Sequence, residues 1–131
     1  VFNAWDRIED NEIADVVTNA LATIFPSDPP RFMARVPHGY HDRATIERDL
    51  RAGGFGKAAR IETVAARSRA PTARHPAIAY CQGSPLRSEI EARDAARLGE
   101  ATDVAAAAIE RRFGAGPVDA KIQAHVVVVE R

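Results

Sequence analysis

Residues 1–25, VFNAWDRIEDNEIADVVTNALATIF, set a short strand directly before a helix, and that junction decides how the rest is read. Val1 to Trp5 are strand-forming residues with no turn ahead of them. Asp10 and Asn11 are helix-capping types. After them Ile13, Val16, Val17, Ala20, Leu21 and Ile24 recur at the spacing of a single helical face. Pro26 stops the helix, so it is expected over 10–25. Ser27-Asp28-Pro29-Pro30 then makes a stiff surface loop.

Working outward, a His38-Gly39-Tyr40-His41-Asp42 stretch precedes a second helix over 42–52, with Asp42 as its N-cap and Ile46 and Leu50 inward. Ala52-Gly53-Gly54-Phe55 fits a Schellman stop, with Gly54 as the left-handed residue. Residues 59–67 read as a strand, with Ile61 and Val64 on opposite faces. From Pro76 to Phe113 the pattern is helical. Gly83 ends one short helix, Ser84-Pro85 opens another, and Asp94 either caps a new helix or marks a kink. Residues 118–130 form a last strand whose valines on both faces suggest burial on both sides. Strands alternating with helices argue for an open α/β sheet of about three strands.

Composition narrows the possibilities. A chain of 131 residues is one domain at most. Eighteen basic and eighteen acidic residues give zero net charge, which speaks against nucleic acid as a partner. No apolar run, Val126 to Val129 included, approaches the ~20 residues of a membrane helix, so no membrane partner is expected. A single Cys allows no internal disulfide and fits a cytoplasmic setting. Of the hydrophobic residues 26 are Ala, so the core is expected to be thin.

The segments WDRIEDNEIADVV, PPRF…PHGYHD, DLRAGGF and IQAHVVVVER, in that order, resemble the C-terminal part of class I S-adenosylmethionine-dependent methyltransferases. The resemblance covers essentially the whole chain. It implies a Rossmann-like sheet in which 1–5, 59–67 and 121–130 are the fifth, sixth and seventh strands, the last two pairing antiparallel. Segments 10–25 and 74–113 would be helical insertions that roof a substrate site. The family's glycine-rich turn after its first strand and acidic residue after its second have no counterpart here. The chain is thus expected to be a single partial domain, 1–131, on the substrate side of a methyltransferase with a small-molecule acceptor. S-adenosylmethionine would belong to the parent protein, with no cofactor held by this chain alone. The competing expectation is a non-catalytic ligand-binding or dimerisation module. An unpaired first-strand edge would favour a symmetric homodimer.

Ligands of open α/β sheets sit outside the carboxyl ends of the strands. There Trp5 is either a stacking wall of a pocket or core. Arg7 either holds an anionic group or pairs locally with Asp6. His38, Tyr40 and His41 form either a substrate-contacting loop, with a histidine as general base, or a plain surface loop. His38 and His41 have H-x-x-H spacing but lack further ligands for a metal. Tyr80 either lines a pocket or is core with its hydroxyl at the rim. Cys81 reads as a small buried hydrophobe. Trp5, His38, His41 and Tyr80 are expected around one concavity. The arginines from Arg67 to Arg97 read mainly as solvated.

Overall fold

A computed structural model describes residues 1–131. Three strands, β1 (Phe2–Trp5), β2 (Arg60–Ala70) and β3 (Val118–Val128), form one sheet in the order β1-β3-β2. β3 lies between the other two and is antiparallel to both. Six helices complete the chain: α1 (Glu12–Ile24), α2 (Phe32–Arg35), α3 (Arg43–Ala52), α4 (Arg74–Cys81), α5 (Leu86–Asp94) and α6 (Leu98–Phe113). The mixed α/β class agrees with the sequence, and the sheet is antiparallel throughout.

Partners across an antiparallel ladder share a face. Trp5, Ala124 and Val64 therefore lie on one side, and Ala4, His125 and Thr63 on the other. α1 and α6 cover the Val118–Ala120 end of β3, where both residues are buried. α3 covers the opposite face, where Ile46, Ile61 and Val127 form a small separate core. The expectation that β3 is buried on both sides holds only in part. Ala124, Val126 and Val128 are half-buried because no helix reaches that face beyond Ile122. The main core lies instead among α1, α4, α5 and α6, built on Leu21, Leu86, Ile90 and Ile109. The two helical segments expected as a roof thus carry most of the buried apolar surface themselves.

Several boundaries move by a few residues. β2 runs three residues past Arg67, and β3 ends at Val128 rather than at position 130. The first helix begins at Glu12 after a 3-10 turn, Ile8–Asp10. Neither Asp10 nor Asn11 caps it through its side chain, a correction to the sequence reading. Asp10 takes Arg7 and Lys121 as ion-pair partners. Asn11 turns to β3, its amide nitrogen 3.2 Å from the Gln123 carbonyl and its oxygen accepting from the Gln123 N–H at 3.1 Å. The side-chain amide thereby extends the ladder where β1 has ended. Asp94 does cap a new turn, its carboxylate accepting from Ala96 N–H at 3.0 Å. Arg93, far from being solvated, holds the 26–30 loop through the Asp28 side chain and backbone carbonyls of Asp28 and Pro29.

α3 shows both signals placed on it. Asp42 accepts from the Thr45 N–H at 2.8 Å. At the other end Phe55 N–H donates to the Leu50 carbonyl and Gly54 N–H to that of Arg51, the two bonds of a Schellman motif. Gly54 has φ of 87° with open space around the position a Cβ would take. Gly54→Ala is therefore expected to cost about 1 kcal/mol through backbone strain alone. Gly56, with neither positive φ nor a close neighbour, should accept alanine at no cost. Urea melts of the two variants check this.

Candidate functional site

β1 is short because its chain turns at Asp6, and that residue organises everything near it. The Asp6 N–H donates to the Gln123 carbonyl, continuing the β3 pairing by one step. Its carboxylate accepts from the Arg7 N–H at 2.7 Å and from the Gln123 side-chain amide at 2.7 Å, and lies 3.3 Å from His125 Nε2. Burial alone would raise this carboxyl. The Gln123 amide, the Arg7 N–H and the His125 ring outweigh it and hold the group below the ordinary carboxylate range.

The 37–42 loop is pinned to this turn. His38 Nδ1 donates to the Asp6 carbonyl at 2.9 Å, His41 Nδ1 to the His38 carbonyl at 2.8 Å, and His125 Nε2 to the His41 carbonyl at 3.0 Å. A closed circuit results, Asp6–His38–His41–His125–Asp6, joining the end of β1, the loop and β3. Carbonyl partners fix the tautomers. His38 carries its proton on Nδ1 and His125 on Nε2, and Thr63 Oγ1 donates to His125 Nδ1 at 2.9 Å.

Two concavities flank the circuit. On the Trp5 face a cavity of about 350 Å³ opens at the carboxyl end of β1, walled by Trp5, Phe32, Met33, Ile122, His38 and Tyr80. Trp5 is 41% exposed, which makes it a wall and not core. Its ring centroid lies 5.9 Å from that of His38, with the planes tilted by 49°. On the His125 face a polar cleft gathers Asp6, Arg7, His41, Thr63 and His125 without an apolar residue.

Three of the four residues expected around one concavity, Trp5, His38 and Tyr80, do share it. His41 does not. The loop delivers His38 to one face and His41 to the other, a placement that adjacent numbering conceals. Arg7 also faces the polar cleft, and its guanidinium pairs with Asp10 at 2.8 Å rather than with Asp6. Only the Arg7 backbone meets the Asp6 carboxylate. Tyr40 lines neither concavity and donates its hydroxyl to Asp49 on α3. Cys81 is fully buried, its thiol pushed up to about 11 by desolvation. No cluster of His, Cys, Asp or Glu is arranged to hold a metal ion. His125, Gln123 and Asn11 were missed by sequence reasoning. The available signal was a polar residue at every second position, Asp119, Lys121, Gln123 and His125, alternating with apolar ones along the strand.

Burial of His38 lowers its affinity for a proton, with the His41 ring acting the same way and the Asp6 carbonyl, Asp6 and Glu9 charges opposing. A histidine less basic when folded binds fewer protons than in the unfolded chain below the ordinary imidazole value of ~6.5. Its stabilising contribution is thus complete above that pH and is lost as pH falls toward the folded value. Asp6, whose pKa is lowered on folding, loses its contribution in a second stage below about pH 4. Urea midpoints measured from pH 7.5 to pH 3 are expected to fall in these two stages, and His38→Gln should flatten the first.

No family model, curated protein or solved structure matches this chain.

Proposed function

We propose that the chain forms the acceptor-binding portion of an S-adenosylmethionine-dependent methyltransferase acting on a small molecule. The observation that carries this reading is the cavity at the carboxyl end of β1, where an open α/β sheet presents its ligand site, with helices and the 37–42 loop over it. The antiparallel pairing of β2 with β3 agrees with the edge pairing that the family resemblance implies. Methyl transfer depends chiefly on aligning the acceptor with the sulfonium carbon, so walls such as Trp5 and Tyr80 matter more than reactive groups.

In a protein that joins this chain to a cofactor-binding half, Trp5→Ala and Tyr80→Ala are expected to lower kcat/KM for the acceptor roughly tenfold or more. The KM for S-adenosylmethionine should stay unchanged. Transfer of labelled methyl groups that is indifferent to both variants would overturn the placement. The chain alone is expected to have no micromolar affinity for the cofactor. Its two glycines of positive φ, Gly54 and Gly114, close helices, whereas a phosphate- or nucleoside-cradling turn opens one. A micromolar constant in calorimetric titration would overturn that expectation.

A second reading, a self-associating module, is favoured by the free edge of β1 beside exposed Val1, Phe2 and Trp5. Two copies pairing through β1 would bury part of this surface in a symmetric dimer. Sedimentation equilibrium showing a single 14.2 kDa species over a wide concentration range would remove this reading.

A further inference from the structure

The chemistry of the aromatic cavity is specific enough to name the class of its occupant. No charged side chain lines it. An anionic or cationic ligand would give up its hydration there without a counter-charge, which is costly. The occupant is therefore neutral. A volume of about 350 Å³ exceeds the ~150 Å³ of a cavity that holds benzene, and it is bounded by Trp5, Phe32, Met33 and Ile122. That leaves space for one or two fused rings with a substituent, against surfaces that favour a flat ligand.

The polar atoms at the cavity decide the rest. Asn11 is spent on the backbone of Asp6, Arg7 and Gln123. The Ser84 hydroxyl donates to the Tyr80 carbonyl and accepts from the Leu86 N–H. Two groups remain. His38 has its Nδ1 proton committed to the Asp6 carbonyl, which leaves Nε2 as an unprotonated acceptor with no protein partner. The Tyr80 hydroxyl likewise has no protein partner, and burial keeps it protonated by raising its pKa. A ligand that satisfies both brings one donor for His38 Nε2 and one acceptor for Tyr80 Oη. A hydroxyl oxygen supplies both roles in one group.

We infer that this cavity binds neutral aromatic hydroxyl compounds, with the ligand hydroxyl donating to His38 Nε2 and facing Tyr80 Oη. The inference rests on the proposed acceptor site and gives that site its acceptor class, a ring-bound hydroxyl. It requires no methyl donor to be tested, so its outcome is separable from that of methyl transfer.

The experiment is ligand-observed and protein-observed NMR of the chain with 2-naphthol, naphthalene and 2-naphthoate as probes. 2-Naphthol is expected to shift the Trp5 indole N–H and the His38 ring signals. It should bind roughly fivefold or more tightly than naphthalene, the usual worth of a neutral hydrogen bond, and naphthoate should bind most weakly. His38→Phe should reduce 2-naphthol to the affinity of naphthalene. Because that change also removes the bond to Asp6, Tyr80→Phe serves as a second variant. It deletes only a hydroxyl, and it should weaken 2-naphthol while leaving naphthalene unchanged. Naphthoate binding as well as 2-naphthol, or 2-naphthol and naphthalene binding equally to the parent chain, would overturn the inference. So would 2-naphthol shifts that bypass Trp5 and His38.

Discussion

Asn11→Ala is expected to lower stability by about 3 kcal/mol, because its side chain joins the end of β1 to β3. The residue is 2% exposed. Its amide nitrogen lies 3.3, 3.1 and 3.2 Å from the carbonyls of Asp6, Arg7 and Gln123, and its oxygen accepts from the Gln123 N–H. Truncation leaves the Gln123 N–H without a partner, at roughly 1–3 kcal/mol for a buried group that stays unsatisfied. It also takes one of two hydrogen bonds from the carbonyls of Asp6, Arg7 and Gln123, which keep the His38 ring, the Asp10 N–H and the Asp6 N–H as donors. The lost second bonds place the total at the upper end of that range. Asn19 is the control. It lies on α1, the helix that Asn11 precedes, and bonds only the exposed Asp15 carboxylate, so Asn19→Ala should change stability by less than about 0.5 kcal/mol. Urea melts with unchanged m values decide it, and equal midpoints for the two variants would mean that the Asn11 bonds contribute nothing.

What could be read from the sequence follows from how local each signal is. The first helix was visible because its apolar face repeats within thirteen residues, and Ile13, Val17 and Leu21 are indeed buried. The α3 cap and its Schellman stop were visible because each is made by side chains and backbone a few positions apart. Asn11 was misread for the same reason. Its type suits a cap, but its partner Gln123 lies 112 positions away, and no local pattern encodes that choice. The antiparallel pairing of β2 with β3 was expected from the family resemblance and from no local signal, since three helices intervene between the two strands.

The site was legible in part. Trp5 could be placed at a strand end, and His38 and Tyr80 could be suspected as pocket residues, because strand ends and polar–aromatic clusters carry general meaning. Which side of the sheet His38 and His41 would take could not be read. That depends on the Asp6 carbonyl capturing one ring and the His38 carbonyl capturing the other. His125 stands inside the last strand, and its place in the circuit depends on the His41 carbonyl of a loop distant in sequence.

Ile46→Ala is the other large change, expected to cost about 3 kcal/mol, within the usual ~2–5 for removing a buried Ile side chain. Its distribution over the molecule matters more than its size. α3 is otherwise polar, and Ile46 is its only fully buried residue, in a core shared with just Ile61 and Val127. The remaining tethers are Leu50, packed at the edge of that core, Arg43, whose guanidinium donates to the Ile61 carbonyl at 3.1 Å, and the exposed bond from the Tyr40 hydroxyl to Asp49. A helix held by so little should open locally before the α1–α6 core responds. Hydrogen exchange is therefore expected to accelerate across 43–52 while the amides of α1 and α6 keep their protection. The cavity should also survive. His38 is fixed ahead of α3 by its N–H to the Met33 carbonyl and its Nδ1 to Asp6, neither of which depends on Ile46. The Trp5 indole signal should then stay in place in the folded variant. Exchange that rises equally in α1, α3 and α6 would show instead that the small core and the large one open as a single unit.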